Sequence, residues 1–189
     1  MMINLKTAVR DFSDAVAGSI LTEAAFIFTV LVSLCVGAID YGGFIAQRGR
    51  IESVSYSLAS VLRERKHLFD DREMIIQEDV DRLAALTATL LDHPEAANFC
   101  LSVESVTFRP GEDKVVENYR RYNGGMAQCN NTRPAALLSD LTDLSVWSNR
   151  QRWIPIYQLT LIVPTRKSSL QTLSLLPDDI KAASIVIRR

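Results

Sequence analysis

The stretch "AVAGSILTEAAFIFTVLVSLCVGAID", residues 15–40, decides the architecture. It carries a single charged residue, Glu23, before the closing Asp40. The uncharged run Ala24–Ile39 is sixteen residues, roughly 24 Å of helix, against a hydrocarbon core about 30 Å thick. Ser19–Thr22 before Glu23 and Tyr41–Ala46 after Asp40 supply the missing length, so residues 19–46 read as one transmembrane helix. Tyr41 then falls near an interface, where an amphipathic ring is favoured. A charge at the bilayer centre costs about 2.5–3.5 kcal/mol on insertion scales, which makes Glu23 a functional candidate by default. Basic residues flank the run on both sides, Lys6 and Arg10 before it and Arg48 and Arg50 after, so charge bias assigns no orientation.

Residues 1–18 before the run are polar and rich in small side chains, and read as a leader peptide. Beyond it, Phe44, Ile51, Val54, Leu58 and Val61 recur at helical spacing and carry the helix to about Lys66. Gly37, Gly42 and Gly43 allow either a bend or close helix packing. Asp70 or Asp71 can cap a second helix with the apolar stripe Ile76, Val80, Leu83, Thr87 and Leu90, which Pro94 ends. Residues 47–93 are therefore expected to be an extended helical region, and 94–189 an exported, antiparallel β-rich domain. In "CLSVESVTF", residues 100–108, the apolar parity shifts near Glu104–Ser105, which a β-bulge would absorb. "RPGEDK" turns the chain into "KVVENY", a hairpin. Residues 120–150 read as irregular, broken by Gly124–Gly125 and Asn130–Asn131, with a short helix around Pro134–Leu144. "WIPIYQLTLIVP", residues 153–164, is the strongest strand and "ASIVIRR" the last. The fold class expected is α+β: a long N-terminal transmembrane helix continuing beyond the bilayer, a second amphipathic helix, and an antiparallel sheet of about four strands.

A formal net charge of −1 argues against a nucleic-acid surface. The basic cluster Arg63, Arg65 and Lys66 is interrupted by Glu64 and followed by Asp70 and Asp71, as in a solvated helix end. Cys35 reads as a small buried hydrophobe. Cys100 and Cys129 lie in segments that read as exported, where an oxidising compartment favours a bridge between them. The enzymatic alternative, a thiol–imidazole pair of Cys100 with His93, stands alone: no nucleophile elbow, phosphate loop or His-Glu-x-x-His helix accompanies it. His67 and His93 lack ligand-spaced companions, so no metal and no cofactor are expected.

The leader ends in "AVAG" and is followed by "SILTE" and the apolar helix. A glycine followed five residues on by a glutamate, directly before such a run, resembles a type IV prepilin processing site. Within that superfamily the chain is similar to minor pilins of the Tad (tight adherence, Flp) pilus system, the TadE/TadF-like pseudopilins. The block "GSILTEAAFIF", the length of the chain and the late "RWIPIYQLTL" carry the likeness. Members often place an aromatic directly after the glutamate and a proline soon after; here Ala24 and Ala25 follow, and Thr29 stands at the proline position. The resemblance implies cleavage between Gly18 and Ser19 by a membrane-embedded prepilin peptidase, with Glu23 as an assembly residue. It implies a single pass through the bacterial inner membrane, a periplasmic C-terminal domain and incorporation into a surface adhesion pilus. The implied partners are other Tad pilins and pseudopilins and the inner-membrane assembly platform. Two alternatives compete. "VGA" at 36–38 fits an ordinary signal-peptide site, which would release a soluble protein starting near Ile39. An uncleaved anchor could instead carry a periplasmic binding or sensor domain.

Overall fold

The computed structural model describes residues 16–64, 74–91, 95–125, 129 and 137–187. The chain divides into two compact units, Met1–Gly43 and Phe44–Arg189. Helix α1, Val16–Arg63, contributes to both. In the first unit its side chains from Ile20 onward are apolar around the whole circumference, and those of Ile20, Leu21, Phe26, Ile27 and Phe28 are all exposed. A window of this helix reaches a mean hydropathy of 2.1 with none of it buried, so it is long and apolar enough to cross a membrane. Cys35, expected to be buried, is exposed here, because the side chains around it on the helix are exposed too.

The second unit is a two-layer α+β structure. Its sheet is built from β1 (Cys100–Phe108), β2 (Val116–Gly125), β5 (Ile156–Pro164) and β6 (Asp179–Ile187), all neighbours antiparallel, in the order β2-β1-β5-β6. A separate strand pair, β3 (Trp147–Ser148) with β4 (Arg152–Trp153), sits between β2 and β5 in sequence. On α1, Ile51, Val54, Leu58 and Leu62 are buried at three- and four-residue steps, with Phe44 and Val61 packed beside them. These side chains meet Tyr157, Leu159, Leu161 and Val163 of β5 and Ile180 and Ala182 of β6 in one core. Two polar contacts fix the direction of α1. The Gln47 amide donates to the Pro164 carbonyl at 3.2 Å, and the Ser55 hydroxyl lies 3.0 Å from that of Ser184, which pairs with Leu159. As α1 advances, β5 recedes, so the helix lies antiparallel along the strand.

Helix α2, Gln77–Leu90, covers the β2–β1 side. Val80, Leu83 and Thr87 face the core as the stripe requires, and Thr87 satisfies its hydroxyl on the Leu83 carbonyl at 2.7 Å. Leu90 departs from expectation and is 42% exposed, because the helix ends there and Leu91 turns inward instead. Asp70 and Asp71, expected to cap α2, lie outside the described residues. The helix starts later, with the Asp79 carboxylate accepting from the Ile76 backbone N–H at 3.2 Å.

Two further expectations need correction. No bulge interrupts β1 at Glu104–Ser105; its pairing with β5 runs unbroken from Cys100 to Val106, and the irregularity lies at Thr107/Phe108. The parity shift reflects two cores. Leu101 and Val103 belong to the core beneath the helices, whereas Val106 and Phe108 point the other way and pack with Leu138 and Ile156. The stretch 120–125 is not irregular either, since β2 continues to Gly125. Its glycines serve packing: a Cβ on Gly124 would stand 3.0 Å from the Ala84 Cβ and 3.2 Å from Val80 Cγ1. In the 134–144 region the described helix is a 3₁₀ segment, Leu138–Leu144.

The close approach at Gly124 gives a test of the α2–β2 contact. Gly124→Ala is expected to lower stability by about 1–3 kcal/mol, as overpacking does in a tight core. Gly49→Ala, on α1 where a Cβ meets nothing within 4 Å, is expected to be neutral or stabilising by about 0.5–1 kcal/mol. Urea midpoints of both variants in mild detergent check the contrast.

Candidate functional site

The residues singled out by the apolar helix come first. The backbone at Gly18 and Ser19 is helical, since α1 begins at Val16. Glu23 is exposed one turn further on, and its neighbours at helical spacing, Ile20, Phe26 and Ile27, are exposed apolar side chains. Among the described residues Glu23 makes no ion pair. Two hydroxyls of this stretch are turned inward on the helix itself: Thr29 donates to the Ala25 carbonyl and Ser33 to the Thr29 carbonyl, each at 2.8 Å. Such back-bonding removes the need for outside partners, which suits an apolar surrounding. The arrangement is an apolar cylinder with one carboxylate near its start. Chemically it can pack laterally and form one charge-directed contact.

In the second unit Cys100 and Cys129 are joined by a disulfide, with Cα atoms 5.3 Å apart. The thiol–imidazole alternative is thereby removed, because the Cys100 sulfur is covalently occupied. His93 lies outside the described residues. The bridge joins the first residue of β1 to Cys129, which is itself 4% exposed.

Sequence reasoning missed two polar features. Glu104, 1% exposed on β1, accepts the phenolic hydrogen of Tyr119 on β2. Arg121 donates from Nε to the Ser102 hydroxyl at 3.1 Å and stands 3.9 Å from a Glu104 carboxylate oxygen. The signal was a carboxylate in the middle of the apolar "CLSVESVTF". Burial, then the hydrogen bond to Glu104 and its negative charge, push the Tyr119 phenol up from 10.0 to about 12, with Arg121 opposing. A folded-state pKa above the unfolded value means that this contribution to stability is complete below pH 10 and is lost as pH rises through 12. The difference in urea midpoint between the parent and Tyr119→Phe is therefore expected to be constant up to pH 10 and to change between there and pH 12. The second missed feature is Gln47. Besides donating to Pro164, its Oε1 accepts from the Arg166 backbone N–H at 3.1 Å, so one amide pins the chain leaving β5.

Comparison with known proteins adds one finding. The family model TadF, tight adherence pilin protein F, matches residues 11–189. No curated protein and no solved structure matches the chain.

Proposed function

The chain belongs to the TadF family of tight adherence pilin proteins, and from that premise we propose that it is a minor pilin cleaved after Gly18 and drawn into a Tad-type pilus through Glu23. The family is structural, not enzymatic, and together with the exposed apolar helix it fits a membrane-anchored protein. On this reading residues 1–18 are the leader, 19–46 the membrane helix, 47–93 the helical region beyond it and 94–189 the exported domain. A prepilin peptidase removes the leader at the inner membrane. The remaining chain waits there, its C-terminal domain in the periplasm, for other pilins and the assembly platform. One observation carries the proposal: on an apolar helical surface left exposed among the described residues, Glu23 is the single charge before Asp40, five residues past Gly18.

The helical backbone at Gly18 bears on how the leader is removed. A protease needs a locally opened chain at the scissile bond. A glycine inside a helix is less stable than alanine by roughly 0.5–1 kcal/mol, so the first turn opens most easily there. Mass spectrometry of the protein purified from membranes is expected to show Ser19 as the first residue. An intact leader would remove the processing step, and a start near Ile39 would identify an ordinary secreted domain.

A further inference from the structure

The end of the second unit that holds Gln47 combines three features that the pilin reading does not use. The first is position. Gln47 is bonded to Pro164 and Arg166, and it stands four residues from Gly43 in the chain. In sequence it is therefore among the first residues of the second unit, which starts at Phe44. The hairpin between β1 and β2, residues 109–115, lies at the opposite end of the sheet, because β1 and β5 are antiparallel.

The second feature is the loop that leaves β5. Its ends are closed by the Thr165 N–H on the Asp178 carbonyl at 2.7 Å. Within it the short helix α3, Ser169–Thr172, is capped by the Ser168 side chain, which accepts from the Gln171 N–H. It terminates with Ser174 at φ 57°, the left-handed region usually given to glycine, while Ser174 and Leu175 donate to the Gln171 and Leu170 carbonyls, each at 2.9 Å. This stop turns Leu173 and Leu175 outward, at 68% and 67% exposure. They are the two most exposed leucines among the described residues of this unit. An apolar pair held out by an uncommon backbone conformation, in the same loop as the basic Arg166 and Lys167, has the composition of an interfacial membrane contact.

The third feature is a groove of about 360 Å³ lined by Gln47, Glu95, Asn98 and Pro164–Lys167. Glu95 is 5% exposed, and its Oε2 has no hydrogen-bond partner among the described residues, while Oε1 lies 3.8 Å from Arg166 Nη2. The Thr165 hydroxyl is likewise buried without a partner among the described residues. A buried carboxylate oxygen left unmatched is costly, and a cationic donor entering the groove would satisfy it. Arg166 and Lys167 beside it call for an anion. One molecule that carries both charges a few bonds apart is a phospholipid headgroup with a primary ammonium.

We propose that this end of the unit rests on the bilayer surface and seats an aminophospholipid headgroup, its ammonium against Glu95 and its phosphate against Arg166 and Lys167. Leu173 and Leu175 then enter the boundary between headgroups and acyl chains. This rests on the membrane-spanning reading of the apolar helix, and the test separates the two. The full chain is reconstituted in vesicles of phosphatidylethanolamine and phosphatidylglycerol containing brominated lipid. A fluorophore is placed on the native Cys35, or, in Cys35→Ala chains, on Leu173→Cys or Glu112→Cys. Quenching is expected at 35 and 173 and absent at 112, with about half the emission lost at the shallow depth of an interfacial segment, ~5–10 Å. Quenching at 35 without quenching at 173 overturns the proposal and leaves the spanning helix intact. No quenching at 35 removes both. An apolar shift of the label at 173 that follows protein density and ignores brominated lipid assigns the leucines to a second copy, and also overturns it. For the headgroup, native mass spectrometry of the detergent-purified chain is expected to show phosphatidylethanolamine retained. Glu95→Gln is expected to lose several-fold of it relative to phosphatidylglycerol, and Arg166→Gln to lose both lipids. Unchanged lipid retention in both variants overturns the headgroup seat.

Discussion

Glu23→Ala is expected to insert into the membrane, to be cleaved after Gly18 and to support no pilus. On the proposed reading, cleavage would create an α-amine at Ser19, whose ordinary pKa near 7.7–8.0 would keep it largely protonated at neutral pH. Glu23 stands four residues on, one helical turn away, and could neutralise its own terminus or that of an adjoining subunit. In the structure the carboxylate is exposed among Ile20, Phe26 and Ile27, so no other described group on its own chain relieves it. In a bilayer that is unfavourable, and a neighbour bringing a matching ammonium relieves it only on docking. Alanine removes the incentive without harming insertion, since it makes the segment more apolar. Immunoblots of membrane fractions report insertion and processing, and electron microscopy reports piliation. Normal piliation of a correctly processed Glu23→Ala chain would reduce Glu23 to a residue that reaches the interface.

The second large effect concerns the bridge. Replacing Cys100 and Cys129 together by serine is expected to cost about 3–4 kcal/mol, the chain-entropy value for a closed loop of this size. The two are 29 apart in sequence. Cys129 is itself buried, with its sulfur 3.6 Å from the Phe99 carbonyl. A loss of that size is a large fraction of the 5–15 kcal/mol typical of a domain. The urea midpoint of the serine pair in detergent is the measurement, with limited proteolysis around residues 126–136 expected to accelerate. A midpoint equal to the parent's would show that the bridge adds nothing to the fold.

The helices were legible because burial on one face leaves a periodic record. Ile51, Val54 and Leu58 on α1, and Val80, Leu83 and Thr87 on α2, could be read directly. The central strand was legible as a strand over Cys100–Phe108 but not in its unbroken course, and the reason is physical. Alternation identifies a strand with one wet face, but β1 is buried on both, so Ser102, Glu104 and Ser105 look outward-facing in sequence and are each at most 2% exposed. The apparent slip in parity was the handover from one core to the other. The small pair β3–β4 was equally hidden, being two residues per strand and held by the edge-on contact of Trp147 with Trp153, 5.2 Å between ring centres. At the site, the glycine–glutamate spacing and both cysteines stood out by residue type. Gln47 did not, because an amide one turn past an apolar run announces nothing until the carbonyl and N–H that it bridges are folded against it.

The antiparallel course of α1 along β5 has a mechanical meaning. Tension along the part of α1 within this unit is met first at Phe44 and Gln47, near the closing end of β5, and runs along the strand. Ile51, Val54, Leu58 and Leu62 must then slide over the sheet together, a shear in which the contacts share the load at once. Had the helix crossed the sheet edge-on, the same contacts would have parted one by one, as a zipper does, at lower force. Resistance to pulling is governed by the unfolding barrier and not by equilibrium stability. If assembly pulls on the chain through its first helix, as the proposed function would have it, the unit is gripped in shear, and Phe44 and the amide of Gln47 take the strain first.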